Sequence, residues 1–339
     1  MLQVKDLHVH LDTPSGIVKA VDGVSFTIKP GQTVGIVGES GSGKSVIAHA
    51  LTKLNPEPPA FYPRGEILFE GQNVLEMDKG RLRALRGNEI SMIFQDPMSS
   101  LNPVFKIGKQ LMEAIQTHQR LSKKEAKEKA IELLSDVGIP DPKKRMQSYP
   151  HQFSGGMRQR VLIAISLASR PKLLIADEPT TALDVTIQAQ IINLLKSIQK
   201  KYDTAIIIIT HDLGVVANLA DHILVMYAGK IVESGSADDI FYHTGMPYTW
   251  SLLRSIPRLD TNVRERLLHI DGQPPNLISP PTGCNFHPRC PFAREECVAE
   301  DPPLLSRGGN HLAACVLSQT DFEREKQAIS AHRKGVPLS

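Results

Sequence analysis

The sequence predicts an α/β protein with a largely parallel central sheet, an antiparallel β layer before it and a helical insertion within it. Continuous apolar runs at Leu173–Ala176 and Ala205–Ile209 are typical of parallel strands that are buried on both faces. The helical pattern Val185–Lys200 lies between them and gives the strand–helix–strand order of a parallel crossover. A chain of 339 residues is long enough for about two domains.

Composition is that of an ordinary globular protein, with 41% hydrophobic and 22% charged residues. The 24 Gly and 24 Pro follow no period, which excludes a fibrous protein. The apolar runs are shorter than the roughly 20 residues of a membrane span, and the N-terminus has no signal-peptide core. We therefore expect a cytoplasmic chain that only a partner holds at a membrane. The net charge of +3 does not by itself indicate a nucleic-acid or lipid partner.

The N-terminal part predicts mainly strands. Residues Leu2–Ile28 alternate apolar and polar residues around turn signals, which predicts antiparallel strands. A short apolar strand at Thr33–Gly38, a helix at Ser45–Leu54 and a strand at Glu66–Phe69 follow. This part precedes the helical insertion.

The insertion is predicted from helical spacing over residues of about 105–148, where Ser122 and Glu125 form a capping box. With an apolar helix at Val161–Ser169, it makes a helical subdomain at about 105–165. The composition changes after Pro257, so we expect a first domain at 1–257 and a C-terminal arm at 258–339.

The segment GESGSGKS fits the phosphate-loop pattern GxxxxGK[ST] and lies between an apolar strand and a helix. Its glycines let backbone N–H groups turn toward phosphate oxygens, and the following helix adds its positive dipole end. Lys44 would neutralise the β- and γ-phosphates, and the Ser45 hydroxyl would bind Mg²⁺. The residues assigned to the nucleotide are Gly38, Ser40, Gly41, Ser42, Gly43, Lys44 and Ser45.

Two acids follow the apolar run Leu173–Ala176. At the end of a buried strand, Asp177 would hold Mg²⁺ through water and Glu178 would polarise the water that attacks the γ-phosphate. The turn Ser154-Gly155-Gly156 before an apolar helix predicts a second anion-binding helix N-terminus. A single phosphate-loop enzyme needs only one, so we expect this turn to face the γ-phosphate held by another subunit.

With these motifs in this order, the chain resembles the ATP-binding subunits of ABC transporters. The resemblance implies a phosphate-loop ATPase fold in which Gln95 is the Q-loop glutamine that senses Mg²⁺ and the attacking water. Asp184 then belongs to the D-loop, and His211 is the switch histidine that holds the water together with Glu178. Met157 stands where many members have Gln. The N-terminal loop has no aromatic residue to stack on adenine, which leaves that contact to Ile17 or Val18.

More closely, the chain resembles the oligopeptide, dipeptide and nickel importers, in stretches such as ADEPTTALDVTIQAQI and PYTWSLLRSIP. The resemblance implies ATP-driven peptide uptake, or nickel uptake as the alternative. It also implies a peripheral protein on the cytoplasmic face of the cell membrane, with two transmembrane permease subunits docked near Gln95–Phe105. The other partners would be a second ATPase subunit, identical or different, and indirectly an extracytoplasmic peptide-binding protein.

The four cysteines all lie in the C-terminal arm, at Cys284, Cys290, Cys297 and Cys315. Disulfides are unusual in a cytosolic chain, and four thiolates can hold either Zn²⁺ or a [4Fe–4S] cluster. The importers that the chain resembles carry an iron–sulfur cluster on a similar arm, which favours [4Fe–4S]. We expect the group to stabilise the arm, with His287 and His311 outside its ligand set.

Two other classes fit less well. A soluble ABC protein that acts on DNA or ribosomes would use the cysteines as a zinc module, but the chain has no strongly basic stripe, and we expect no nucleic-acid partner. A GTPase or small-molecule kinase would leave the Ser154-Gly-Gly turn unexplained, and no NKxD guanine-binding motif is present.

Overall fold

The computed structural model describes residues 1–95, 100–181, 183–255 and 270–334, with side chains to 327 in the last range. Across these ranges, no helix combines the length and apolar character that spanning a bilayer requires. The boundary predicted between residues 257 and 258 lies outside the described residues.

In the described ranges, the central sheet has eight strands, numbered in chain order: β3 (Thr33–Val37), β7 (Ile90–Ile93), β8 (Leu173–Asp177), β9 (Ala205–Thr210), β10 (His222–Tyr227), β11 (Lys230–Gly235), β12 (Leu305–Gly308) and β13 (His311–Ala313). Their order in the sheet is β12-β13-β11-β10-β3-β9-β8-β7. The five from β10 to β7 are parallel, which confirms the predicted fold class, and the other three are antiparallel.

Both faces of this sheet are covered, because alternate residues of one strand enter two different cores. Leu174 and Ala176 of β8 pack in the core that includes the helical insertion, whereas Leu173 and Ile175 pack under the N-terminal layer. Every residue of β8 and β9 is buried. The burial of both faces explains why these strands are continuous apolar runs in the sequence.

The N-terminal layer is an antiparallel sheet, as predicted. Its strands are β1 (Leu2–Thr13), β2 (Gly16–Ile28), β4 (Ala60–Phe61), β5 (Glu66–Phe69) and β6 (Gln72–Asn73). The helix α1 (Lys44–Ala50) packs between this layer and the central sheet, and it ends four residues before the predicted Leu54. A second helix in this region is α2 (Lys79–Leu85).

The helical insertion consists of α3 (Ile107–His118), α4 (Lys123–Asp136), α5 (Pro142–Arg145) and α6 (Gly155–Ser166). The predicted capping box of Ser122 and Glu125 is present at the start of α4. The predicted start of the last helix at Val161 is wrong, since α6 already begins at Gly155 with Ser154 as its cap. The side chain of Ser154 accepts the N–H of Met157, which stabilises this earlier start.

The remaining helices are α7 (Val185–Tyr202), α8 (Leu213–Leu219), α9 (Ala237–Tyr242), α10 (Pro247–Arg254), α11 (Glu295–Ala299) and α12 (Gln319–Lys334). The C-terminal arm joins the central sheet, because β13 pairs with β11 through Glu233↔Ala313 and Ser234↔Leu312. Glu233 is fully buried there, and its carboxylate accepts hydrogen bonds from His311 Nε2 at 2.8 Å and Thr244 Oγ1 at 3.0 Å.

Candidate active site

The phosphate loop connects β3 to α1, and its shape requires glycine at two positions. Gly38 has φ 152° and Gly43 has φ 99°, both in the region that side chains rarely adopt. A Cβ on Gly38 would lie 2.1 Å from the carbonyl oxygen of Met226, and one on Gly43 would lie 2.2 Å from that of Ala20. The loop is therefore pressed against β10 and β2, and only glycine fits at these contacts.

Lys44 reaches back across this loop. Its Nζ donates to the carbonyl oxygens of Gly38 and Glu39, each at 2.8 Å. Burial lowers the pKa of the amine, while the nearby carboxylates of Glu178, Asp177 and Glu39 act in the opposite direction. The ammonium is thus a desolvated positive charge that bridges the start of the loop, which favours interaction with an anion.

Ser45 and Asp177 meet beside the loop, at the start of α1 and the end of β8. The Ser45 hydroxyl donates to Asp177 Oδ1 at 3.2 Å. Asp177 is 3% exposed, and burial raises the pKa of its carboxyl, with the Ser45 bond acting against that rise. Hydroxyl and carboxylate oxygens are the ligands that Mg²⁺ prefers, so this pair can hold the ion directly or through water.

The carboxylate of Glu178 contacts the side chains of three described residues. Its Oε2 accepts Nε2 of Gln95 at 2.8 Å and Oγ1 of Thr181 at 2.8 Å, and its Oε1 lies 3.4 Å from Nδ1 of His211. Its backbone N–H donates to the carbonyl of Ile209 in β9. The four sequence-predicted residues Gln95, Asp177, Glu178 and His211 thus lie at one end of the sheet, as expected for adjacent parallel strands.

The protonation of Glu178 is set by opposing effects. Partial burial raises the pKa of this carboxyl, but the hydrogen bonds from Thr181 and His211, with the charge of Lys44, lower it by more. The net pKa is below the ordinary value, so the group is a carboxylate at neutral pH. It can accept a proton from water, and His211 is 63% exposed beside it, open to a ligand.

Thr181 was missed by the sequence reasoning. It follows Glu178 by three residues, in the turn that connects β8 to α7, and its hydroxyl bonds the carboxylate. A hydroxyl residue shortly after a strand-end acid was the available signal. Its neighbour Ala182, together with residues 96–99 after Gln95, lies outside the described residues.

The second anion-binding turn and the D-loop aspartate both start helices. Ser154 caps α6, while Asp184 caps α7 by accepting the N–H of Ile187 at 2.9 Å. A Cβ on Gly156 would lie 2.6 Å from Cγ2 of Ile187, so the two helix starts are closely packed. In the part of the chain that the structure describes, no hydrogen bond joins the Ser154–Gly156 turn to the phosphate loop.

The chain is similar to known proteins along most of its length. The ABC transporter family matches residues 21–181, and the oligopeptide/dipeptide transporter C-terminal region matches residues 232–297. The oligopeptide transport ATP-binding protein OppD of Bacillus subtilis (strain 168) is 54% identical over 321 residues, which cover 95% of this chain and 90% of that protein. The chain belongs to the ATP-binding proteins of oligopeptide and dipeptide ABC transporters.

Two further comparisons, one with a curated relative and one with a solved structure, indicate the same family. The dipeptide transport ATP-binding protein DppD of the same organism is 51% identical over 334 residues, 98% of this chain and 99% of that protein. The dimeric ATP-binding cassette MJ0796, solved in a post-hydrolysis state with ADP and Pi, matches with a TM-score of 0.63. It is 27% identical, and the match covers 70% of this chain and 99% of that one. The predicted fold class, the resemblance and the ATPase activity are confirmed for this ABC ATPase.

The arm of the ABC ATPase brings its four cysteine thiols near one another. The N–H of Cys284 donates to the carbonyl of Cys297 at 2.8 Å, and all four thiols are free. Burial raises the pKa of Cys284 to about 11 and that of Cys290 to about 12, with smaller contributions from the other thiols. Within the described ranges, no three of the sulfurs lie within 4.8 Å of one another. A tetrahedral zinc site would need S···S separations of roughly 3.8 Å.

A group of possible metal ligands that the sequence reasoning missed lies on the N-terminal layer of the ABC ATPase. Ligand atoms of His8, His10 and Asp22 lie within 4.8 Å of one another. His8 is already bonded to Asp22 at 2.9 Å and to Asp6 at 3.2 Å. The signal was a His-x-His pair on one face of a strand.

Proposed function

We propose that this ABC ATPase powers the uptake of oligopeptides or dipeptides through a membrane importer. The observation that carries the proposal is the 54% identity to an oligopeptide transport ATP-binding protein, which extends over 95% of the chain and includes the arm. The alternative cargo, nickel, has no comparable support among the relatives reported above. The arrangement of Lys44, Asp177 and Glu178 supports ATP hydrolysis as the energy source.

In the proposed mechanism, the loop Gly38–Ser45 holds the β- and γ-phosphates, and Lys44 leaves its carbonyl partners to bind them. Ser45, Asp177 and Gln95 would hold Mg²⁺, which would supply positive charge to neutralise the phosphates. Glu178 orients a water and accepts its proton as the water attacks the γ-phosphate in line. His211, which is exposed next to Glu178, contacts the γ-phosphate and steadies that water.

A second ATPase subunit completes each site in this proposal. The turn Ser154-Gly155-Gly156 is a capped helix start, where the first N–H groups have no partner within the helix. Among the described residues, no hydrogen bond joins it to the phosphate loop of its own chain. Two subunits that sandwich two nucleotides bring this turn, and Asp184, to the site of the partner. The dimeric form of the MJ0796 cassette supports this arrangement. ATP binding closes the pair, and hydrolysis reopens it.

Two permease subunits are the proposed membrane partners, with a peptide-binding protein on the outer side acting indirectly. A groove of about 390 Å³ lies between the segment after β7 and the helical insertion, lined in part by Leu54, Phe94, Ala114 and His118. Phe94 is 46% exposed at this groove, which suits an apolar helix from a membrane subunit. The ABC ATPase would then sit peripherally on the cytoplasmic face of the membrane.

For the arm, we propose that the four thiolates hold a [4Fe–4S] cluster, with Zn²⁺ as the alternative. The donor set is supported by the proximity of the thiols, since Cys297 and Cys315 both add to the raised pKa of Cys284 and of Cys290, for which burial is the main cause. Among the described residues no three of these sulfurs lie within 4.8 Å of one another, which does not match the compact tetrahedron of a zinc site. When bound, the group would cross-link the segments of the arm that carry the four cysteines and so stabilise its fold. His287 bonds the carbonyl of Cys284 and His311 bonds Glu233, so neither is assigned as a ligand.

Metal and acid-labile sulfide analysis of anaerobically purified protein tests this assignment. We expect about four iron and four sulfide per chain. In a Cys290→Ser variant we expect both to be lost, and in an Arg294→Gln variant of the same arm we expect both to be kept. Equimolar zinc without sulfide would contradict the cluster.

Uptake in a strain that lacks this protein tests the transport function. We expect loss of accumulation of labelled dipeptide or of a longer peptide, recovered by the wild type but not by Lys44→Ala. Without its ammonium, the phosphate loop cannot neutralise the phosphates, and uptake should fall at least tenfold. Unchanged peptide uptake with lost Ni²⁺ uptake would replace peptides by nickel as the cargo.

A further inference from the structure

Arg289 directly precedes Cys290 in the arm, yet its side chain reaches the phosphate loop. Its guanidinium makes two bonds to the carboxylate of Glu39, Nη1–Oε2 at 2.7 Å and Nη2–Oε1 at 3.0 Å. Glu39 is the second residue of the phosphate loop, 250 positions away in sequence. The Arg289 side chain is only 5% exposed. A two-bond pair in this environment is much stronger than a surface ion pair.

The same guanidinium donates hydrogen bonds to three further residues. Its Nη1 donates to the hydroxyl of Tyr227 at 3.2 Å, its Nε donates to the carbonyl of Asp271 at 3.0 Å, and its Nη2 also reaches the carbonyl of Ile270 at 3.3 Å. Tyr227 ends β10, which flanks the loop in the central sheet. Arg289 is therefore fixed in position by several partners before any nucleotide binds, so its hold on Glu39 costs little further side-chain entropy.

Glu39 connects Arg289 to Lys44 and Tyr248 through its backbone. Its backbone N–H donates to the hydroxyl of Tyr248 at 2.8 Å, and its carbonyl accepts Nζ of Lys44 at 2.8 Å. Tyr248 packs against Tyr227 and Phe286, with ring centroids 4.5 Å and 5.3 Å apart. An unbroken series of contacts thus runs from the cysteine segment through Arg289 and Glu39 to Lys44.

We propose that Arg289 positions the phosphate loop, so that the cysteine segment sets the affinity of this ATPase for ATP. The inference rests on the proposed role of the loop Gly38–Ser45 as the phosphate site. Arg289 has two effects: it fixes the position of Glu39 within the phosphate loop, and it neutralises a carboxylate next to an anion-binding loop. It contacts no reacting atom, and it is a positioning residue.

Removal of the guanidinium alone leaves the Glu39 carboxylate unpaired, as an uncompensated negative charge in the loop proposed to bind the phosphates. We expect Arg289→Gln to weaken MgATP binding about tenfold, and Arg289→Lys to weaken it less, since lysine keeps the charge without the two-bond geometry. The double variant Glu39→Gln/Arg289→Gln should recover most of the loss, because it no longer carries the unpaired charge.

Titration calorimetry with MgATP on the full-length protein measures these affinities, in a Glu178→Gln background that prevents turnover. The matched control is Arg294→Gln, an arginine of the same arm that is 41% exposed and pairs with Glu325. We expect this control to bind like its parent. Circular dichroism and melting temperature of each variant confirm that the fold is kept at the temperature of titration.

The outcomes separate the two proposals. If Arg289→Gln binds MgATP as tightly as Arg294→Gln, or if the double variant is as weak as Arg289→Gln, the positioning role is wrong. If the parent protein binds no MgATP, the proposed role of the loop fails instead.

The cysteine segment is tested with Cys290→Ser. We expect this variant to weaken MgATP binding when Arg289 is present and to add nothing in the Arg289→Gln background. Additive effects in the two backgrounds would show that the cysteine acts on the site by another route, and they would overturn the proposed connection.

Discussion

Glu178→Gln is expected to lower steady-state ATP turnover at least about a hundredfold while MgATP binding remains. The glutamine keeps the size of the side chain and an oxygen that can accept the Thr181 hydroxyl, but it cannot take a proton from water. Phosphate release and a nucleotide titration measure the two properties on the same preparation. Because binding is retained, the variant should also hold the dimer in its closed, nucleotide-bound form.

Glu295→Gln is the matched control, since Glu295 is an exposed acid in the arm. It should turn over ATP at the rate of the wild type. Near-normal hydrolysis in Glu178→Gln would remove Glu178 as the proton acceptor and would leave water activation to another group in the site.

A companion variant, Thr181→Val, tests the electrostatics of the same carboxylate. Burial raises the pKa of Glu178, and the Thr181 bond is the foremost of the effects that lower it. Without that bond the pKa of Glu178 rises, so the acid limb of kcat/KM against pH should move to higher pH. An acid limb that stays in place, or that moves to lower pH, would show that Thr181 does not set the protonation of the base.

The second substitution with a large expected effect is Glu233→Ala, which should lower the free energy of unfolding. Glu233 is fully buried where β13 of the arm joins β11, and it accepts hydrogen bonds from His311, Thr244 and the N–H of Gly245. The truncation leaves three buried donors without a partner. Each buried donor left without a partner costs about 1–3 kcal/mol, and we expect a total loss of about 3–5 kcal/mol in the free energy of unfolding.

Urea unfolding followed by circular dichroism measures this loss, with Glu300→Ala as the control because Glu300 is an exposed acid of the same arm. The control should change the free energy of unfolding by less than about 0.5 kcal/mol. A loss below about 1 kcal/mol in Glu233→Ala would mean that the buried pair does not hold the arm. The double variant Glu233→Ala/His311→Ala should cost less than the sum of the single variants, since both remove the same bond.

Much of the catalytic end of the sheet could be predicted, because its determinants are local. The glycine spacing before Lys44 and the apolar run before Asp177 each define a short segment, and a parallel sheet brings such strand ends together. The structure places Ser45 against Asp177, and Gln95 and His211 against Glu178. Alternation over Leu2–Ile28 likewise indicated the antiparallel layer, because one face of each strand is buried.

What could not be predicted depends on contacts between distant segments. Nothing near Glu39 indicates that its carboxylate pairs with Arg289, since the pairing depends on where the arm folds. The short strand β13 gave no signal either, because three residues are too few for a periodic pattern. The early start of α6 at Gly155 was missed because glycines disfavour a helix interior, yet here Ser154 caps the first turn and Gly156 packs against Ile187.

The pairing of β13 with β11 also determines which strand forms the exposed edge of the central sheet. With the arm in place, the outermost strand on that side is β12, a four-residue segment that carries Arg307. Short edge strands with charged side chains commonly prevent edge-to-edge association of sheets. Without the arm, the edge strand would be β11, whose six residues are mostly buried and include Ile231 and Val232. The arm therefore protects the finished ATPase from self-association through β11, which is an uncovered edge during synthesis until β13 emerges.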